Sequence, residues 1–305
     1  MRIGIDFGGT KIEAIGLDAE GAVLARKRVL NPGAYDDAIG AVADLVAFIE
    51  GETGRTGSIG MGTPGSQSPR TGLMRNSNSV YLNGRTFGAD LEARLGRPVR
   101  LANDANCLAL SEATDGAAAG AKAAFAIIIG TGCGGGLVVD GKLVEGVGGV
   151  AAEIGHIGLP WATAEEAPGP ECWCGLRGCL EEWVSGSGLQ RDHRARTGQA
   201  LDAPAIVAAA RAGEAASVES LDRYVDRLGR AIAMITNMVD PDVVVLGGGM
   251  SNVGELYERL PAVVERHAFS DSWEGRIVPA VWGDASGVRG AARLWPLDEV
   301  QGDPS

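Results

Sequence analysis

The 305-residue chain is 45% hydrophobic, enough to bury a sizeable core as two domains or one large one. Its formal net charge of -12 argues against a nucleic-acid partner, which needs lysines and arginines to neutralise phosphates, and against an anionic membrane surface. The 47 glycines follow no collagen-like period and fall in clusters, which points to tight turns and close backbone approach to ligands.

The chain opens on a predicted β-meander. Ile3 to Phe7, Ile12 to Leu17 and Val23 to Val29 read as strands, with Gly8-Gly9-Thr10 and Asp18 to Gly21 at the turns. No signal-peptide h-region precedes it, and no apolar run approaches the roughly 20 residues that span a bilayer, so a cytoplasmic protein is expected. Asp36 to Glu50 carries Ile39, Val42, Leu45, Val46 and Ile49 at helical spacing. Ser58 to Met61 is a short buried strand, Ala89 to Leu95 a helix ending at Gly96, and Val99 to Leu101 another strand. Asn103 and Asp104 open a helix that runs through Ala113, with either residue available as cap.

The second half repeats this theme. A strand at Ala124 to Ile129 feeds a glycine loop, Gly130 to Gly136, and a returning strand at Leu137 to Val139. A long helical stretch, Leu221 to Val239, precedes a strand at Val243 to Leu246, which runs into Gly247-Gly248-Gly249 and a helix from near Ser251 or Asn252. Ala162 to Glu171 reads as a surface loop. Alternating strands and helices predict an α/β protein of two lobes, residues 1–117 and 118–305, with a last helix at about 287–296 packing back on the first lobe.

Three glycine-rich turns, each fed by an apolar strand, suggest a nucleotide cradle, because successive backbone N–H groups form anion-binding concavities. In the first, Asp6 can hold a metal or its waters, and Thr10 or Lys11 can contact phosphate; an ordinary Gly-Gly hairpin is the plainer alternative. The spacing is neither that of a P-loop nor that of a Rossmann fingerprint. Asp104 is a candidate general base for phosphoryl transfer or a helix cap, and one residue can be both.

Cys172, Cys174 and Cys179 lie within eight residues, with glycines that permit a tight knuckle. Three thiolates and one imidazole make a closed tetrahedral zinc set, which is structural rather than catalytic. The imidazole would come from His156, His193 or His267. Glu181 and Glu182 follow closely, where one can accept hydroxyls from a polyol or simply favour a helix start.

In this order the pieces resemble the ROK family of sugar kinases. The matching stretches are DFGGTK at Asp6 to Lys11, GMGTPGS at Gly60 to Ser66, LANDANCLALSEA at Leu101 to Ala113, IIGTGCGGG at Ile128 to Gly136, EIGH at Glu153 to His156, CWCGLRGCLE at Cys172 to Glu181 and VVLGGGMSN at Val244 to Asn252. The likeness is closer still to fructokinases that also use mannose, through Arg75 to Gly84, Ser111 to Ala121 and Gly283 to Pro296.

This resemblance implies a two-lobed actin-like ATPase (ribonuclease H-like) fold with a zinc-binding knuckle. It implies phosphorylation of D-fructose at its 6-hydroxyl by ATP and Mg2+, with mannose as second substrate and a glucokinase or N-acetylhexosamine kinase of the same family as the alternative. Asp104 would be the base. Gly65, Asn78, Asn103, Glu153, His156 and Glu181 would bind the sugar. MgATP would lie on Asp6, Gly8, Gly9, Thr10 and Lys11, on Thr131, Gly132, Gly134 and Gly135, and on Gly247, Gly248 and Gly249. His156, Cys172, Cys174 and Cys179 would hold structural Zn2+, with a homodimer expected.

Overall fold

A computed structural model describes residues Met1–Glu299. The opening meander forms where the alternation predicts it: β1 (Arg2–Phe7) pairs antiparallel with β2 (Lys11–Leu17), and β2 with β3 (Val23–Leu30). Helix α1 (Tyr35–Thr53) buries Ile39, Val42, Leu45, Val46 and Ile49 in the core of this half, and ends where Gly54 adopts a left-handed φ of 63°. β4 (Ser58–Thr63) adds parallel to β1. Two short strands, β5 (Ser66–Gln67) and β6 (Met74–Arg75), form a ribbon ahead of α2 (Phe87–Leu95). β7 (Val99–Asn103) joins parallel to β4, giving the order β3-β2-β1-β4-β7, and α3 (Asp104–Asp115) follows without a break.

The second sheet repeats the plan. β8 (Ala123–Ile129), β9 (Cys133–Val139) and β10 (Lys142–Leu143) form the meander. Four helices intervene: α4 (Glu181–Val184), α5 (Gly186–Thr197), α6 (Ala203–Arg211) and α7 (Ala215–Val239). β11 (Val243–Gly247) then pairs parallel with β8; α8 (Glu255–His267) and β12 (Arg276–Pro279) follow, for the order β10-β9-β8-β11-β12. Val243 to Leu246 is continuously buried, as expected of a strand covered on both faces. Two such sheets, each a meander extended by parallel strands, make the α/β actin-like ATPase fold.

The last helix, α9 (Ser286–Ala292), returns to the first sheet, and glycine lets it seat. A Cβ at Gly60 would lie 1.9 Å from the Ala291 carbonyl oxygen, and one at Gly4 2.0 Å from that of Val288. Two carboxylates of α3, the buried Glu112 and the half-buried Asp115, pin the same segment. Glu112 accepts from the Val281 and Trp282 amides at 3.0 and 3.1 Å and from Ser286 Oγ at 2.8 Å. Asp115 accepts from Trp282 Nε1 at 3.1 Å, from Arg289 at 2.8 Å and from Arg293.

Three details depart from the sequence reading. Only Gly130 to Gly132 form a turn, because Cys133 onward pairs with β8. A 3-10 turn occupies Gly249–Asn252, so the next helix starts at Glu255. The surface loop at Ala162 to Glu171 sinks Glu166 into the protein, where it bonds Arg227 at 2.9 Å and Arg230 at 2.8 Å. Burial alone would raise the pKa of Glu166, but hydrogen bonds from Arg230 and Arg227 outweigh it and hold the carboxyl at about 2, against an ordinary 4.5.

A folded-state pKa below the unfolded one contributes stability above pH 4.5 that is lost as pH falls towards about 2. Glu166→Gln leaves two buried guanidiniums short of a charge, and is expected to cost about 3 kcal/mol, or about 5 °C in Tm. Calorimetric scans should show that gap at pH 7 and its closure in acid; an equal Tm at pH 7 would refute the role.

Candidate active site

The glycine turns and Asp104 all lie at carboxyl ends of strands, where open α/β sheets bind ligands. Helix α3 runs between the two sheets: Ala105 meets Gly134 and Gly136, and a side chain at Gly247 would collide with Leu108. One helix therefore fixes the first half's acid against the second half's turns.

Asn103 caps α3, its Oδ1 accepting from the Ala105 amide at 2.8 Å while its Nδ2 donates to the Gly65 carbonyl at 3.4 Å. Asp104 Oδ1 accepts from the same amide at 2.8 Å. Asn103 therefore acts as the cap, and Asp104 keeps its second oxygen without a hydrogen bond among the described residues. Asp104 is exposed to solvent, although its carboxyl has protein packed closely around it. That burial pushes its pKa up, against the pull of backbone amides and Asn103. Asp6 is pushed up to about 6, first by burial and then by the nearby charges of Asp104 and Glu13.

Glu153 belongs to the same cluster. Burial raises its pKa, His156 opposes that, and Asp104 and Glu181 add like charge. The Glu181 carboxylate is held at both oxygens: the Cys133 amide donates to Oε2 at 3.0 Å and the Trp173 indole to Oε1 at 2.7 Å. Glu153 thus lies within electrostatic reach of Asp104, His156 and Glu181. Asn78 is exposed on the loop after β6 and has no side-chain hydrogen bond among the described residues, although its neighbour Ser79 borders Gly9.

At the first turn Gly8 donates to the Lys11 carbonyl at 2.9 Å, Asn31 Nδ2 pins the Gly8 carbonyl at 2.7 Å, and Gly9, Thr10 and Lys11 are exposed. The other two turns touch. Gly248, at φ 81°, lies so close to the Ile129 carbonyl that a Cβ would be 2.8 Å from it. Gly134 and Gly135 lie within β9 rather than in the turn, and Gly135 is buried. Beside Thr131 and Gly249 opens a cavity of about 560 Å3, walled by Gly186, Gln190, Pro204, Val207 and Asn252. Helices α5 and α6 supply most of this wall, and the motif search missed them. Asp202, whose side chain accepts from the Ala205 amide ahead of Pro204, was a legible helix start.

Of the three histidines, His156 meets the thiols. Its Nδ1 is 3.6 Å from Cys172 Sγ, Cys174 Sγ is 3.6 Å from Cys179 Sγ, and one ligand atom from each of the four residues lies within 4.8 Å of the others. A Zn–S bond of about 2.3 Å implies a tetrahedral edge of about 3.7 Å, so the donor set fits zinc. His193 is buried against Ser220 and His267 bonds the Val263 carbonyl.

A family profile described as ROK family matches residues 2–297. The chain belongs to the ROK family. It is 40% identical over 299 residues to an N-acetyl-D-glucosamine kinase of Photobacterium profundum, covering 96% of this chain and 99% of that one. Among solved structures it resembles a ROK hexokinase from Thermus thermophilus (TM-score 0.87, 33% identity, 97% and 98% of the two chains). It also resembles a ROK family glucokinase from Streptomyces griseus in complex with glucose and AMPPNP (TM-score 0.79, 29% identity, 96% and 98%).

These relatives overturn the expectation of D-fructose with mannose as second substrate, since the 40%-identical protein is named for N-acetyl-D-glucosamine. The structure explains the error. Of the stretches that carried the fructokinase likeness, Ser111 to Ala121 and Gly283 to Pro296 are bound to each other through Glu112 and Asp115. They are scaffold of this ROK fold, and their sequence reports packing rather than the sugar.

Proposed function

We propose that this ROK protein phosphorylates a free hexose with ATP and that its preferred acceptor is N-acetyl-D-glucosamine. The observation that carries the reading is the placement of Asp104, open at one oxygen, among Asn103, Glu153, His156 and Glu181 and beside the glycine turns. The sugar preference rests on relatives such as the Photobacterium profundum kinase.

Phosphoryl transfer asks for positioning and charge stabilisation more than covalent chemistry. Asp104 would take the proton of the attacking hydroxyl, and its raised pKa strengthens it as a base. Glu153, Glu181 and Asn103 offer acceptors and donors that fix a sugar's hydroxyls. His156 points Nδ1 at the thiols, which leaves Nε2 for the sugar. The exposed first turn and the Thr131-Gly132 and Gly248-Gly249 turns would hold the phosphates, while Gly247 ends β11 buried against Leu108, and the 560 Å3 cavity is of a size to take the adenosine. Asp6 would hold Mg2+ or its waters. Zn2+ on His156, Cys172, Cys174 and Cys179 would supply rigidity, setting the imidazole's direction and tautomer.

Calorimetric titration without nucleotide tests the acceptor. N-acetyl-D-glucosamine is expected to bind more tightly than D-glucose, D-mannose or N-acetylmannosamine, and tighter binding of any of these three would contradict the reading.

A further inference from the structure

Trp173 stands between two of the cysteines and is 62% exposed. Its fixed contacts among the described residues are to the site: the indole N–H donates to Glu181 Oε1 at 2.7 Å, and its ring meets that of His156 edge-on, 4.8 Å between centroids and 89° between planes. Packing gives no reason for it, because a thiol knuckle closes with any residue between its cysteines.

We propose that Trp173 is a positioning residue of the hexose site: its N–H sets the Glu181 carboxylate, and its open face is a wall against which the sugar ring packs. The assignment rests on the hexose-kinase reading. The physical case has two parts. A carboxylate has about four acceptor positions. The Cys133 amide takes one on Oε2 and the indole one on Oε1, so each oxygen keeps a lone pair for a sugar hydroxyl while its direction is fixed from both sides. Without the indole, Glu181 is held at one oxygen only and is free to turn. Second, a sugar ring has an apolar C–H face, and an indole pairs a broad apolar surface with a polar edge. Here the polar edge is spent on Glu181 and the apolar surface is left bare beside His156.

Two variants separate these contributions, assayed with whichever sugar the unaltered protein turns over fastest. Trp173→Phe keeps an aromatic face and loses the N–H; the KM for sugar is expected to rise about tenfold, the loss of one hydrogen bond to a charged group, with the KM for ATP and the zinc content unchanged. Trp173→Ala loses both and is expected to raise the KM for sugar by about thirtyfold or more. Sugar alone should shift the tryptophan emission of the unaltered protein and shift that of Trp173→Phe much less.

Unchanged KM for sugar in both variants, with an active parent, would overturn the role and leave the kinase reading intact. Loss of zinc from Trp173→Phe, or an equal rise in both KM values, would make the residue structural and also overturn it. A parent that turns over no sugar would overturn the kinase reading, and this assignment with it.

Discussion

Asp104→Asn is expected to lower kcat about a thousandfold while leaving the fold and the KM for ATP close to those of the parent, since a positioned base contributes roughly 10²–10⁴. The substitution keeps the side chain's shape and its Oδ1 acceptor for the Ala105 amide, so α3 keeps its start. It removes the oxygen that can take a proton. Steady-state kinetics and a circular dichroism spectrum decide this, and activity within tenfold of the parent would remove Asp104 as base. The pH profile gives a second view. Burial raises the pKa of Asp104, and a base must be deprotonated before it can accept the hydroxyl proton. Activity is therefore expected to fall in acid at a pH above the ordinary aspartate value of 3.8, and a profile that falls only below 3.8 would contradict the raised pKa.

Cys179→Ser is the second large effect. Cys179 is the most buried of the three knuckle thiols, at 1% exposure, and its backbone leads within two residues to Glu181. Losing one thiolate from a four-ligand set is expected to empty the site, to lower Tm by about 10 °C or more, and to weaken sugar binding as His156 and Glu181 lose their anchor. Elemental analysis should find about one zinc per parent chain and far less in the variant. Equal zinc and equal Tm would refute the knuckle as a metal site.

How far the fold was legible depends on which physics wrote each segment. The parallel strands β4, β7 and β11 and helix α1 follow from unbroken or periodic apolar runs, and the structure has them where they were read, whereas the parallel edge strand β12 was not read at all. Helix α5 was hidden because its sequence is largely polar and two glycines stand in its first turn, so no apolar stripe marks it, although Ser185 and Gly198 cap its ends. Its burial comes from Gly186 and Gly188 packing on Gly130 and α4. Glu166 was unreadable for another reason: its two arginines lie 61 and 64 residues away in sequence. The chemistry of the site was more legible than its geometry. Asp104, Glu153, His156 and the three thiols are motif residues, and the fold brings them together. The glycine run at 130–136 looked like one loop because spacing cannot tell a turn from the strand it feeds. Trp173 left no signal in a motif search, because its position between two cysteines is one where the pattern accepts any residue.

The sugar was the least legible feature. Hexoses and their 2-acetamido derivatives differ by single substituents, and no spacing rule says which carboxylate meets which hydroxyl. The measurement that tests the central claim most directly is therefore ADP release by the zinc-replete protein with MgATP and, separately, N-acetyl-D-glucosamine, D-glucose, D-mannose, D-fructose and N-acetylmannosamine. The highest kcat/KM is expected with N-acetyl-D-glucosamine, and Asp104→Asn should abolish that turnover. A higher kcat/KM with another sugar would contradict the acceptor, and no sugar-dependent ADP release at all would contradict the account of the site.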